Sequence, residues 1–141
     1  MAEDRRGLAF SSDNDDAVAL FDKAVDRYLE YRLDAGELLA QAVEADPGFV
    51  MPRILKASML RLMGSNSVFP QIRAELEAID ATGTELNRRE ALHLAALKHW
   101  IAGDVTRASH GWDAIVQEWP FDLVAMRHMH FQNFWLGEQQ A

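Results

Sequence analysis

Ala35, Leu39 and Pro47 recur as Ala108, Trp112 and Pro120 with identical internal spacing, each member 73 residues from its counterpart. Few features constrain a chain more. Two helices cross closely only where a side chain is small, and a large apolar residue one turn later fills the wedge that the crossing opens. A proline then ends the helix, because it has no N–H to donate and its ring clashes with the preceding turn. The interval corresponds to about two 34-residue helix pairs plus a short insertion. Ala74 and Ala78 hold the matching positions in the pair between them, which lacks the closing proline.

The rest of the sequence reads as helix separated by short breakers, with no convincing alternation of the strand type. Residues 15–31 place Ala17, Leu20, Phe21, Ala24, Val25, Tyr28 and Leu29 on one stripe, with Ser12 and Asp15 as a capping arrangement. A second helix is predicted over 35–45, closed by Asp46-Pro47-Gly48. A third covers 50–63, with Pro52 tolerated in its first turn. The fourth spans 70–81 and stops at Thr82-Gly83-Thr84. Asn87-x-x-Glu90 opens the fifth, which reaches Ala102; Asp104 caps the sixth, over 105–118; Asp122 caps the seventh, which runs to Leu136. Short connections make successive helices antiparallel.

The expected fold is therefore all-α, a tetratricopeptide-like α-solenoid of about seven antiparallel helices forming one domain over 1–141. Three stretches carry a more specific likeness: 45–51 (Ala-Asp-Pro-Gly-Phe-Val-Met), 88–93 (Arg-Arg-Glu-Ala-Leu-His), and 120–127 (Pro-Phe-Asp-Leu-Val-Ala-Met-Arg) with Phe134-Trp135-Leu136-Gly137. In this order and at these separations they resemble the N-terminal region of the tetratricopeptide repeat protein 38 family, from about Leu8 to Gly137. The resemblance implies a degenerate helical-repeat scaffold and brings no settled catalytic residues. Members of that family continue into many further helices, whereas this sequence stops after an unpaired seventh, as a truncated piece or a natural short relative would.

Charge and composition narrow the function classes. The chain carries 22 acids and 14 bases, and residues 1–50 alone hold 12 acids against 5 bases. Such a surface repels phosphate backbones and argues against nucleic-acid binding. The acids read as solvated helix faces and first-turn residues that complement the helix dipole, with an acidic docking site for a basic partner as the alternative. With no cysteine, disulfides, thiolate metal sites and cysteine nucleophiles are excluded. No apolar run approaches a membrane span and the N-terminus does not read as a secretory signal. A cytoplasmic protein is the expectation.

No phosphate loop, dinucleotide fingerprint or nucleophile elbow is present, and no cofactor is expected. His128 and His130 point to different sides of a helix, as do His93 and His99. Glu90-x-x-His93 matches half of a helical di-iron site, but the second half is missing. The expectation is a non-catalytic scaffold that binds a protein or peptide. Its concave face would be lined by Arg61, His93, Trp100, Arg127 and Phe131. A helical-repeat enzyme or accessory domain using histidines such as His93 is the alternative. The seventh helix is apolar around its circumference, which predicts a homodimer through Met126, Met129, Phe134 and Trp135.

Overall fold

Asn14 begins the first helix. Its side-chain oxygen accepts from the Ala17 N–H at 3.0 Å, so the cap lies two residues beyond Ser12. The Ser12 hydroxyl accepts from the Asn14 N–H at 3.1 Å and donates to Asp46 Oδ2 at 2.5 Å. A serine placed for local capping instead ties the start of one helix to the end of the next. In the computed structural model, which describes residues 1–64 and 66–140 with side chains as far as Phe131, the described residues form seven α-helices. These are α1 (Asp15–Leu29), α2 (Ala35–Ala45), α3 (Met51–Leu62), α4 (Phe69–Thr82), α5 (Arg88–Ile101), α6 (Val105–Glu118) and α7 (Leu123–Gln140). The chain is all-helical. Extended pairing among the described residues is limited to one isolated bridge, Glu3 with Ala9. No helix among them is long and apolar enough to cross a membrane.

The expected caps do hold at three other helices. Asn87 and Glu90 exchange bonds at 3.0 and 2.9 Å as a reciprocal capping box. Asp104 accepts from the Arg107 N–H and Asp122 from the Ala125 N–H, each at 3.1 Å. A 3₁₀ turn at Asn66–Val68, not foreseen in the sequence, leads into α4. The first helix is two residues shorter than expected because Tyr31 adopts a left-handed conformation, φ 58°.

The chain divides into two compact units, Met1–Glu90 and a second beginning at Ala91. In the first, α1 packs on α2, α2 on α3 and α3 on α4. Asn14 Nδ2 donates to the Ala45 carbonyl at 3.1 Å, which puts the start of α1 beside the end of α2. Thr84 Oγ1 donates to the Gly48 carbonyl at 2.7 Å, which puts the start of α3 beside the residues that follow α4. Neighbours are therefore antiparallel, and the α1–α2 and α3–α4 turns are both at the opposite end. Phe10, Phe21 and Phe49, each almost wholly buried, meet edge to face with centroids 5.5–5.6 Å apart. Phe10 comes from the segment before α1. Arg5 and Arg6 hold that segment down through paired bonds to Asp22 and Asp26 of α1.

In the second unit the repeat residues occupy the core. Ala108 and Ile115 are fully buried and Trp112 nearly so. The Trp112 ring lies 5.4 Å from Trp100 of α5 and 5.0 Å from His128 of α7, filling the wedge among three helices. One turn on from Ala108, α5 and α6 approach closely. A Cβ added to Gly111 would stand 3.1 Å from the Ala96 Cβ.

Candidate functional site

The second unit contains a buried polar centre. His93 of α5 donates from Nε2 to Asp122 Oδ2 at 2.8 Å, with both side chains at most 3% exposed. Asp122 Oδ1 meanwhile caps α7. His128, also buried, packs against Trp100 and Trp112. Burial pushes its imidazole down to about 3, with the neighbouring His93 adding to the effect, Asp122 opposing it and Arg127 adding again. His128 is therefore neutral wherever the protein is folded near neutral pH. The His–Asp bond beside an uncharged histidine ties α5 to the start of α7. Among the described residues, no three His, Cys, Asp or Glu gather into a metal-binding group.

Two of the five residues expected to line a groove are not on the surface. His93 is 2% and Trp100 3% exposed, so both are interior. The residues leading into α7 close over the first through Asp122, and Trp112 and His128 close over the second. Arg127 is half-buried and Phe131 is 41% exposed, one turn apart on α7. Arg61 belongs to the first unit. Of the residues expected to mediate self-association, Met126 and Met129 are half-buried. Phe134 and Trp135 lie outside the residues whose side chains are described.

Exposed apolar side chains occur instead in the two turns at one end of the first unit. The α1–α2 turn holds Tyr31 at 83% and Leu33 at 98% exposure, and the α3–α4 turn holds Leu62, Met63 (67%) and Phe69. Tyr31 sits at a helix end where glycine or asparagine is usual, its N–H donating to the Tyr28 carbonyl at 3.1 Å. A bulky residue in that conformation costs about 1–2 kcal/mol, so helix termination does not account for the choice of tyrosine. At the α3–α4 turn is a hollow of about 200 Å³ framed by Arg61, Gly64, Asn66, Val68, Phe69 and Ile72.

A larger cleft of about 600 Å³ opens at the other end of the same unit, among Ser11, Asp13, Asn14, Asp46, Gly48 and Thr84. Its polar groups largely bond to one another. Asp46 accepts from Ser12 and from the Gly48 N–H, Asn14 donates to Ala45, and Thr84 donates to Gly48. That arrangement latches three chain segments together and makes this end a structural joint.

Sequence reasoning missed the turn residues because amphipathic periodicity does not score loops. The available signal was large apolar residues where turns ordinarily carry polar ones. No family model matches this sequence, and no solved structure matches the fold.

Proposed function

We propose that this chain is a non-catalytic, tetratricopeptide-like interaction scaffold of the cytoplasm that docks a protein partner through the turn end of its first unit. The matched Ala–large–Pro spacing, the antiparallel pairing of successive helices and the burial of Ala108 and Trp112 favour a helical-repeat scaffold. So does the resemblance to the tetratricopeptide repeat protein 38 family. The observation that carries the docking surface is the exposure of Tyr31, Leu33, Leu62, Met63 and Phe69 at one end of the unit. Burying apolar surface is worth about 25 cal/mol per Å², and large exposed apolar surface often marks an interaction site.

The test is affinity capture from an extract of the source cells, comparing the natural chain with Leu33→Ser/Met63→Ser. Both positions are exposed enough for the variant to fold as the natural chain does. A stoichiometric partner captured by the natural chain and lost with the variant is the expected result. Equal recovery by both excludes this surface.

Self-association through α7 is a second reading, favoured by Phe121 at 66% and Phe131 at 41% exposure in the second unit. Light scattering at micromolar concentration would then give a dimer mass that falls to the monomer in Phe121→Ser/Phe131→Ser. A monomer mass for the natural chain excludes it.

A further inference from the structure

The non-helical segment before α1 is gripped by the first unit as a separate peptide would be. The Ala9 carbonyl accepts from Asn87 Nδ2 and from Arg89 Nη2, each at 2.9 Å. Glu90 Oε2 accepts from the Ser11 N–H at 3.2 Å and from its hydroxyl at 3.0 Å. Three of these four bonds go to main-chain groups, which any sequence offers. Between the two clamps Phe10 enters the socket of Phe21 and Phe49, with the Arg89 guanidinium 4.6 Å from its ring centroid. Asn87, Arg89 and Glu90 belong to the same unit as the segment.

Upstream of Phe10, Arg5 and Arg6 meet an acid pair. Asp22 and Asp26 stand four residues apart on one side of α1, and each arginine bonds both carboxylates. Like charges at that spacing repel one another, so the pair favours a basic occupant. The surroundings do not cancel this preference. Residues 13–50 carry 10 acids and 3 bases, and one of those bases, Arg27, faces Asp34. Arg89 is taken up by Ala9 and Phe10.

We infer that the first unit holds a peptide-binding site, closed here by the chain's own residues 5–11, and that a partner protein opens it with a segment of the same pattern. That pattern is two adjacent bases, then phenylalanine four residues after the second. The carboxylate pair selects the bases, and the ring is the anchor that contributes most of the affinity. Asn87, Arg89 and Glu90 take the main chain on either side of it. The chain's own segment is a built-in competitor, with an effective concentration of about 1 mM through its tether. A partner segment therefore binds in proportion to the fraction of chains whose own segment has let go. A second copy of this chain offers the same segment without the tether, so it does not displace the resident one below about millimolar concentration. The site shares no residue with the turn-end surface and stands independently of it.

The experiment titrates a fluorescent, end-blocked synthetic peptide of sequence 4–12 with the full chain, natural or loosened by Arg5→Ser/Arg6→Ser or by Phe10→Leu, and reads anisotropy. Circular dichroism and the melting temperature establish that the variants are folded. The loosened chains should bind the peptide at least about tenfold more tightly than the natural chain. Phe10→Ala in the peptide should abolish binding. Serine at both of its arginines, or high salt, should weaken binding about tenfold. In the natural chain, about 1 mM of a peptide with lysine at both basic positions, distinct in mass, should speed amide exchange across residues 2–12. Absence of binding to a folded loosened chain, equal binding to natural and loosened chains, or indifference to the peptide's phenylalanine or its arginines overturns the inference. So does exchange in residues 2–12 that the peptide leaves unchanged. Loosened chains that form a dimer by light scattering and ignore the peptide overturn it in favour of exchange between copies.

Discussion

Removing the Asp122 carboxylate tests the buried centre of the second unit. One oxygen accepts from His93 Nε2 at 2.8 Å and the other from the Ala125 N–H at 3.1 Å, where it caps α7. Asp122→Ala loses the cap, worth about 1 kcal/mol, and leaves a buried imidazole donor unsatisfied, which costs about 1–3 kcal/mol. Together these amount to about 2–4 kcal/mol of stability. Asp122→Asn keeps an equally good capping oxygen, and its amide can donate to His93 once the imidazole takes the other tautomer. That substitution should cost about 1 kcal/mol, the difference between a charge-assisted and a neutral bond. Urea unfolding followed by tryptophan fluorescence reads both values, since Trp100 and Trp112 lie in the same core. Equal losses for the alanine and asparagine variants, or a loss below about 1 kcal/mol for alanine, would refute the dual role. With His93→Leu already present, Asp122→Ala should cost less than it does alone, because no donor is left stranded.

Three more outcomes follow from the same packing. His128 has its folded pKa pushed down to about 3 from an ordinary 6.5, so between those values the unfolded chain binds the extra proton. Stability should therefore fall as pH drops from about 6.5 toward 3, by at most about 1.4 kcal/mol per pH unit, and melts of His128→Gln across that window should be flatter. Phe10→Ala should cost about 3–5 kcal/mol in denaturant melts despite lying before the first helix; a loss typical of surface positions would show that Phe10 is not a core residue. Gly111→Ala should be close to neutral, its helix-propensity gain of about 1 kcal/mol offset by the 3.1 Å contact with Ala96. Gly111→Leu should lose about 1–3 kcal/mol or more by overpacking, and a stable Gly111→Leu would show that α5 and α6 do not approach closely there.

Helices were legible in the sequence because their ends carry local chemistry. Asn87 with Glu90, Asp104 and Asp122 cap the helices they precede, and each bond spans three residues. What the sequence hid depends on distant residues. Ser12 looks like a cap until Asp46, 34 positions on, takes its hydroxyl. Phe10 sits in a short apolar patch whose value comes from Phe21 and Phe49. Glu90, half of a metal motif on paper, is completely buried and accepts from the Ser11 N–H and hydroxyl at 3.2 and 3.0 Å. The repeat pattern identified Ala108 and Trp112 as core residues, since spacing alone sets the crossing. It did not place His93 and Trp100 inside, because that follows from how the start of α7 and the α6 indole fold over α5.

Hydrogen–deuterium exchange on the chain alone and with its captured partner tests docking at the turn end most directly. The account predicts slowed exchange in the α1–α2 and α3–α4 turns, with Leu33→Ser/Met63→Ser abolishing the difference. Protection confined to α7 or to the bodies of the helices, with both turns exchanging as they do in the free chain, would contradict it.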